Sequence, residues 1–277
     1  MTSPKVIIIT GASKGIGAAL VLRLLSQKHK LVLTARSRDV LEEVKFARPD
    51  QVEFVAGDMT EPGIAQKVVD TAVKAFGRVD GVIVNHGVLD LGKLSDMSLE
   101  TFKKSYDVNV FSGFAMVRDL LPPRTIDYSD CSDILITGGK ASAVIGELKK
   151  TNGSIVWVSS GASTKVYNGW GAYGSSKAAI NHLSAHLASE EPSITSIAIA
   201  PGRVNTEMQA VLRATGKESM DGSQYENFVE AFEKGTLLEP EKPGNVIAKL
   251  AVEPAKHLSG KFLSWNAPEL AAYQDDA

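Results

Sequence analysis

The chain predicts an α/β fold built on a doubly wound parallel sheet with helices on both faces, and three observations carry that expectation. Short β-branched runs alternate with longer amphipathic stretches along the chain. A glycine-rich turn falls directly between the first such run and the first helical stretch. No repeat, low-complexity tract or Pro/Gly-rich linker divides the 277 residues, so a single domain over 1–277 is expected.

Taken in order, strands are expected at 5–10, 31–35, 52–56, 81–84, 154–158 and 193–198, with helices between them. The first contains Val6-Ile7-Ile8-Ile9, which reads as a buried strand and not as a signal, since no basic leader or cleavage site precedes it. One connection breaks the rhythm. The helix ending near Leu120-Leu121-Pro122 should lead quickly to the strand at Ser154, yet the stretch 123–147 intervenes without helical periodicity, an atypical insertion of about 25 residues. It reads as a surface excursion or as translated non-coding sequence, because Leu121-Pro122 would join naturally to Leu148-Lys149-Lys150. Peptides from this stretch in a digest of the native protein would rule out the second reading.

Composition narrows the partners. Thirty basic against 32 acidic residues give a net charge of −2, so no basic field argues for nucleic acid or an anionic membrane. No apolar run approaches the roughly 18 residues of a membrane span, and the single Cys131 has no partner for an internal disulfide, so the expected compartment is the cytoplasm. The five histidines and one cysteine are not clustered at ligand spacing, and no metal site is expected.

In parallel sheets of this kind ligands bind beyond the carboxyl ends of the strands, and the chemically suggestive residues all fall there. After the first strand comes Thr10-Gly11-Ala12-Ser13-Lys14-Gly15-Ile16-Gly17 and then a helical run. Glycines permit the tight turn and let backbone N–H groups approach a pyrophosphate at the positive end of a helix. The second strand ends in Thr34-Ala35-Arg36-Ser37, where an NAD site would place an acidic residue for the ribose hydroxyl. Arg36 and Lys14 instead suit a 2′-phosphate, which favours NADP(H), although both would also serve as solvated surface charges. Asp58 closes the third strand and is placed to accept from an adenine amino group; Asn85-His86-Gly87 closes the fourth. With no carboxylate evident nearby, His86 reads as a packed or backbone-bonded histidine and not as a catalyst.

Tyr173 and Lys177 are four apart and share one face of a helix. A neighbouring ammonium, with an oxidised nicotinamide, would lower the phenol from its reference value near 10 toward base work; in reduction the same phenol donates its proton. Thirteen residues earlier, Ser159-Ser160-Gly161 ends the fifth strand, and Ser160 is the better candidate to hydrogen-bond a substrate oxygen.

The glycine turn, Asn85-His86-Gly87, Asn109, Ser160, Tyr173, Lys177 and Pro201-Gly202-Arg203-Val204-Asn205-Thr206 together resemble the short-chain dehydrogenase/reductase family over nearly the whole chain. The resemblance implies a Rossmann-like sheet of seven strands, the last at 260–264. It implies Tyr173 as general acid/base, Lys177 on the nicotinamide ribose, and Ser160 orienting a carbonyl. Asn109, within a long helix, would hold a water linking Lys177 to solvent, and Thr206 would meet the nicotinamide carboxamide with the backbone of Val204 nearby. A homodimer or homotetramer is implied as well. His86 departs from the family's frequent alanine, and 123–147 has no counterpart in its usual pattern.

Ser160-Gly161-Ala162-Ser163 and Trp170-Gly171-Ala172-Tyr173-Gly174 are similar to sepiapterin-reductase-like and benzil-reductase-like carbonyl reductases. Residues 207–237 mix apolar and charged side chains as an amphipathic helical lid would, and Trp170 and Val166 would add an apolar wall for an aromatic ketone, 1,2-diketone or pterin-like substrate. The expected function is NADPH-dependent reduction of such a carbonyl to its alcohol. Two alternatives stand beside it: an alcohol dehydrogenase acting mainly in the oxidative direction, and a non-enzymatic NADP-binding sensor or scaffold, a class that would typically lack the tyrosine or lysine.

Overall fold

The computed structural model describes residues 3–117 and 144–275. Seven strands form one parallel sheet: β1 (Val6–Thr10), β2 (Lys30–Ala35), β3 (Val52–Ala56), β4 (Gly81–Val84), β5 (Ser154–Val158), β6 (Thr195–Ala200) and β7 (Phe262–Ser264). Their spatial order is β3-β2-β1-β4-β5-β6-β7. The chain builds outward one way from β1 through β3 and the other way from β4 through β7. The two directions diverge between β1 and β4, and such a switch point opens a crevice at the carboxyl edge.

Alternation along each strand splits the core into two layers. Ile7 and Ile9 of β1 join Leu31 and Leu33 on one face, under α1 (Gly15–Ser26), α2 (Arg38–Ala47) and the late helix over Glu241–Val252. Val6, Ile8, Val32 and Val82 point the other way, toward α3 (Ile64–Phe76). That second layer continues under a long helical passage composed of α4 (Leu99–Tyr106), a π-helical turn Asp107–Phe111 and α5 (Ser112–Val117), then α6 (Val144–Thr151) and α7 (Gly171–Glu190). The expected lid consists of α8 (Glu207–Thr215) and α9 (Gly222–Glu233), and Glu241–Val252 is α10. Among the described residues no helix is long and apolar enough to cross a membrane.

Three sequence expectations shift. The sixth strand begins two residues late and runs to Ala200, because a tight turn, with Ile194 N–H bonded to the Glu191 carbonyl, takes up its predicted start. The end of the 123–147 stretch is helical: α6 starts at Val144, with Val144 and Leu148 fully buried against the sheet. The rest of that stretch up to residue 143, including Cys131, lies outside the described residues. Finally, the long helix around Asn109 is not regular, because a π turn, a feature frequent at functional sites, carries the asparagine.

Candidate active site

The glycine turn shows why those residues are small. Gly11 and Gly15 have φ of +64° and +53°, the left-handed region that side chains resist. Gly17 answers a different demand: a Cβ there would stand 2.0 Å from the Gly11 carbonyl oxygen, so the helix can fold back onto the turn only without a side chain. Lys14, the cap of α1, is extended and makes no side-chain cap bond. The first N–H groups of α1, without intrahelical partners, therefore suit an anion.

A crevice of about 1040 Å³ opens beyond this turn. Gly11, Ser13, Lys14, Gly15, Ile16, Arg36, Asp58, Asn85, Gly87, Tyr173, Lys177, Pro201 and Thr206 line it, so most of the residues singled out in the sequence converge on one wall. Gly17, Asn109, Ser160 and Val204 are not part of that lining; Asn109 stands behind Gly87, and Ser160 is joined to the site through Tyr173. Val204 is buried, and its carbonyl accepts from the Thr206 hydroxyl at 3.4 Å.

Asn85 and Asp58 have visible partners. The Asn85 amide donates to the Thr10 and Gly11 carbonyls at 3.1 and 3.0 Å, tying the end of β4 to the glycine turn. Asp58 accepts from the Thr60 N–H and hydroxyl, at 3.0 and 2.8 Å. The Thr60 N–H is the main reason its carboxyl sits below the usual range, and Arg36 adds to the effect. Arg36 itself is exposed and makes no hydrogen bond or ion pair to any described residue.

At the other end of the crevice, one turn of α7 presents Tyr173 and Lys177, both buried. The Ser160 hydroxyl lies near the phenol, while the Lys177 ammonium donates to the Val158 carbonyl at 2.9 Å and lies 5.8 Å from the tyrosine ring centre. Burial pushes the phenol above its usual value, and the nearby Ser160 hydroxyl offsets this only in part. Burial also pulls Lys177 down to about 8. Desolvation disfavours the phenolate, so in this state Tyr173 keeps its proton.

Side-chain bonds that the sequence does not reveal hold this constellation. Asn109, 1% exposed, accepts from the Val88 N–H at 2.8 Å and donates to the Val88 carbonyl and to the Ser176 hydroxyl, each at 3.0 Å. It thereby pins the loop after β4 to α7. Behind Ser160, Ser159 donates to Asn181 at 2.6 Å, Asn181 donates to Ser163, and Ser163 donates to the Ser160 carbonyl. Asn181 belongs to none of the sequence motifs, and only the fold brings it between Ser159 and Ser163.

His86 is bonded, as its lack of a carboxylate partner suggested, but to hydroxyls. Its Nδ1 lies 2.7 Å from the Thr10 hydroxyl and its Nε2 2.6 Å from that of Ser112. Ser112 spends its proton on the Val108 carbonyl at 2.6 Å, so Nε2 carries the ring proton and Nδ1 accepts from Thr10. Burial pulls this histidine down to about 4, well under its ordinary value of 6.5. The unfolded chain thus takes up a proton below about 6.5 that the folded chain refuses until about 4, and stability falls as pH drops through that window. The loss expected from this group is about 2 kcal/mol between about pH 7 and about pH 5. Urea melts of the protein and of His86→Ala should diverge over that range, the variant being less acid-sensitive; parallel curves would contradict the assignment.

Above the catalytic face, Trp170, Tyr173, Leu212, Met220 and Phe228 form a separate apolar cluster with Tyr167 and Met208 packed on it. Trp170 lies between Tyr167, Tyr173 and Phe228, with ring centres 5.0, 5.6 and 5.4 Å away. Val166, the other expected wall residue, is instead 87% exposed and takes no part. Asn168 N–H donates to Gln224 at 2.9 Å and Arg203 covers the Phe228 ring at 4.6 Å, which seats α9 on this wall.

A doubly wound sheet, a glycine turn at its switch point and a serine–tyrosine–lysine group at the crevice define an oxidoreductase architecture. The chain belongs to the short-chain dehydrogenase family, whose model matches residues 5–217. It is 38% identical over 274 residues to an uncharacterized oxidoreductase of Saccharomyces cerevisiae, covering 97% of this chain and 98% of that one. It is 34% identical over 282 residues to a benzil reductase, (S)-benzoin forming, of the same yeast, covering 98% and 99%. A crystal structure of a Saccharomyces cerevisiae short chain dehydrogenase/reductase superposes with a TM-score of 0.86 at 36% identity, over 98% of this chain and all (100%) of the other.

Proposed function

We propose that the protein is an NADPH-dependent carbonyl reductase acting on a small ketone with apolar flanks, an aromatic ketone or 1,2-diketone in preference to a pterin. The observation that carries this reading is the buried Tyr173, whose phenol is held protonated beside an aromatic wall with Ser160 near it. A phenol pushed upward keeps its proton at neutral pH and is a poor base there, so it enters the reaction carrying the proton that reduction needs. The likeness to a benzil reductase supports the same substrate class.

The crevice fits a dinucleotide, because the close approach at Gly17 and the uncapped α1 leave backbone N–H groups for a pyrophosphate. Gly11, Ser13, Gly15 and Ile16 would hold that pyrophosphate, Arg36 and Lys14 the 2′-phosphate, Asp58 the adenine, Lys177 the nicotinamide ribose, and Thr206 the carboxamide. Such a cofactor supplies the hydride when bound. Ser160 then orients the carbonyl oxygen, and Tyr173 gives that oxygen its proton as the alcohol forms. Lys177, close behind Gly87, stabilises the phenolate left on Tyr173. Tyr173 and Lys177 together disfavour the sensor reading. The resemblance also supports a homo-oligomer, and Phe111 and Phe114 leave apolar surface along the α4–α5 passage for a second copy.

The test follows NADPH and NADH absorbance with a panel of aromatic ketones, 1,2-diketones, pterins, quinones and aldehydes. Diketone-dependent oxidation is expected, faster with NADPH. Arg36→Ala is expected to weaken NADPH binding about tenfold and leave NADH nearly unchanged, as loss of a charge-assisted phosphate contact should. Equal weakening for both nucleotides would contradict the assignment of Arg36.

A further inference from the structure

Lys14 does not stand alone at the mouth of the crevice, because its ammonium forms an ion pair with the Glu207 carboxylate. One residue caps α1 and the other is the first of α8, so the contact spans from the glycine turn to the lid, across 193 positions of sequence. Both side chains line the crevice, and both are nearly two-thirds exposed, at 64% and 62%, so an incoming ligand can reach either. The pairing rests on a close approach of the two elements: a Cβ at Gly15 would come within 3.0 Å of Thr206 Cγ2. Arg36 lines the same mouth, and its charge is felt by Glu207 as well as by Asp58.

We propose that Glu207 is a specificity-determining residue for the nucleotide: its carboxylate competes with the ligand's ribose phosphate for Lys14 and so sets how much that phosphate contributes to binding. The proposal rests on the reading that Lys14 and Arg36 receive a 2′-phosphate. A phosphate carrying nearly two negative charges can draw Lys14 from a single carboxylate, whereas a neutral 2′-hydroxyl cannot. A nucleotide without the phosphate therefore binds with the Lys14–Glu207 contact in place. A nucleotide with it must break that contact and leave Glu207 near a like charge. Because Glu207 opens α8, the exchange also releases the lid helix from the glycine turn. Cofactor choice and lid attachment then meet in one ion pair.

The test is a fluorescence titration of NADPH and NADH against the full chain, Glu207→Gln, Lys14→Gln and the double variant, at low and at moderate salt. Glu207→Gln is expected to bind NADPH about three- to fivefold more tightly, the scale of one exposed ion pair. NADH affinity should stay nearly constant. The gain should vanish when Lys14 is already glutamine, and should shrink at higher salt. An equal gain for both nucleotides, no gain, or a gain that survives in the Lys14→Gln background overturns the proposal. The cofactor reading is judged separately, from the NADPH-to-NADH ratio of the unaltered protein and from Arg36→Ala. A failure there leaves the Glu207-to-Gln ratios still decisive for the competition.

Discussion

Replacing Tyr173 with phenylalanine is expected to lower the rate of carbonyl reduction by about 10²- to 10⁴-fold while leaving NADPH affinity within about twofold. The substitution removes one oxygen from a ring buried between α7 and the aromatic cluster and leaves its packing in place. The lost oxygen lies near Ser160, and no other group in the described site offers a proton to the same point with comparable placement. Lys177 points its ammonium at the Val158 carbonyl, and His86 is already committed to Thr10 and Ser112. Ser160→Ala should cost less, about 10- to 100-fold, because it removes orientation and keeps the donor. Steady-state absorbance with a fluorescence titration of cofactor separates rate from binding. An unchanged rate in the phenylalanine variant would place the proton donor elsewhere.

Gly17→Ala is expected to abolish measurable dinucleotide binding and to destabilise the fold by about 1–3 kcal/mol or more. The new Cβ would meet a backbone oxygen, not the end of a flexible side chain, so relief requires α1 to move away from the turn. That movement carries with it the N–H groups on which a pyrophosphate would rest. Gly146→Ala is the opposite case: it lies in α6, nothing among the described residues stands within 4 Å of its added Cβ, and the exchange should raise stability by about 0.5–1 kcal/mol. Thermal melts of the two variants should therefore shift in opposite directions. A Gly17→Ala protein that melts normally and binds cofactor would contradict the role given to this close approach.

Much of the frame was legible because it is written in local pattern. β-branched runs marked six strands, and the helical spacing of Tyr173 and Lys177 put both on one turn of α7. What was not legible depends on distance in sequence. The partners of His86 lie 76 and 26 residues away, and the chain linking Ser159, Asn181, Ser163 and Ser160 joins two elements whose registration follows from packing. Spacing put Lys177 beside Tyr173, but the burial of both, which raises the phenol, is a property of the folded body. The π turn at Asn109 leaves no mark in composition, since the residues around it would pass for ordinary helix. The Lys14–Glu207 pair was invisible for the same reason: each residue alone is an unremarkable surface charge.

The most direct measurement reduces an aromatic 1,2-diketone with NADPH deuterated at the transferring position and locates the label in the product by magnetic resonance. The account predicts a hydroxyketone carrying deuterium on its carbinol carbon, formed by the unaltered protein and nearly lost in Tyr173→Phe. Tight NADPH binding with no labelled alcohol from any carbonyl in the panel would contradict it.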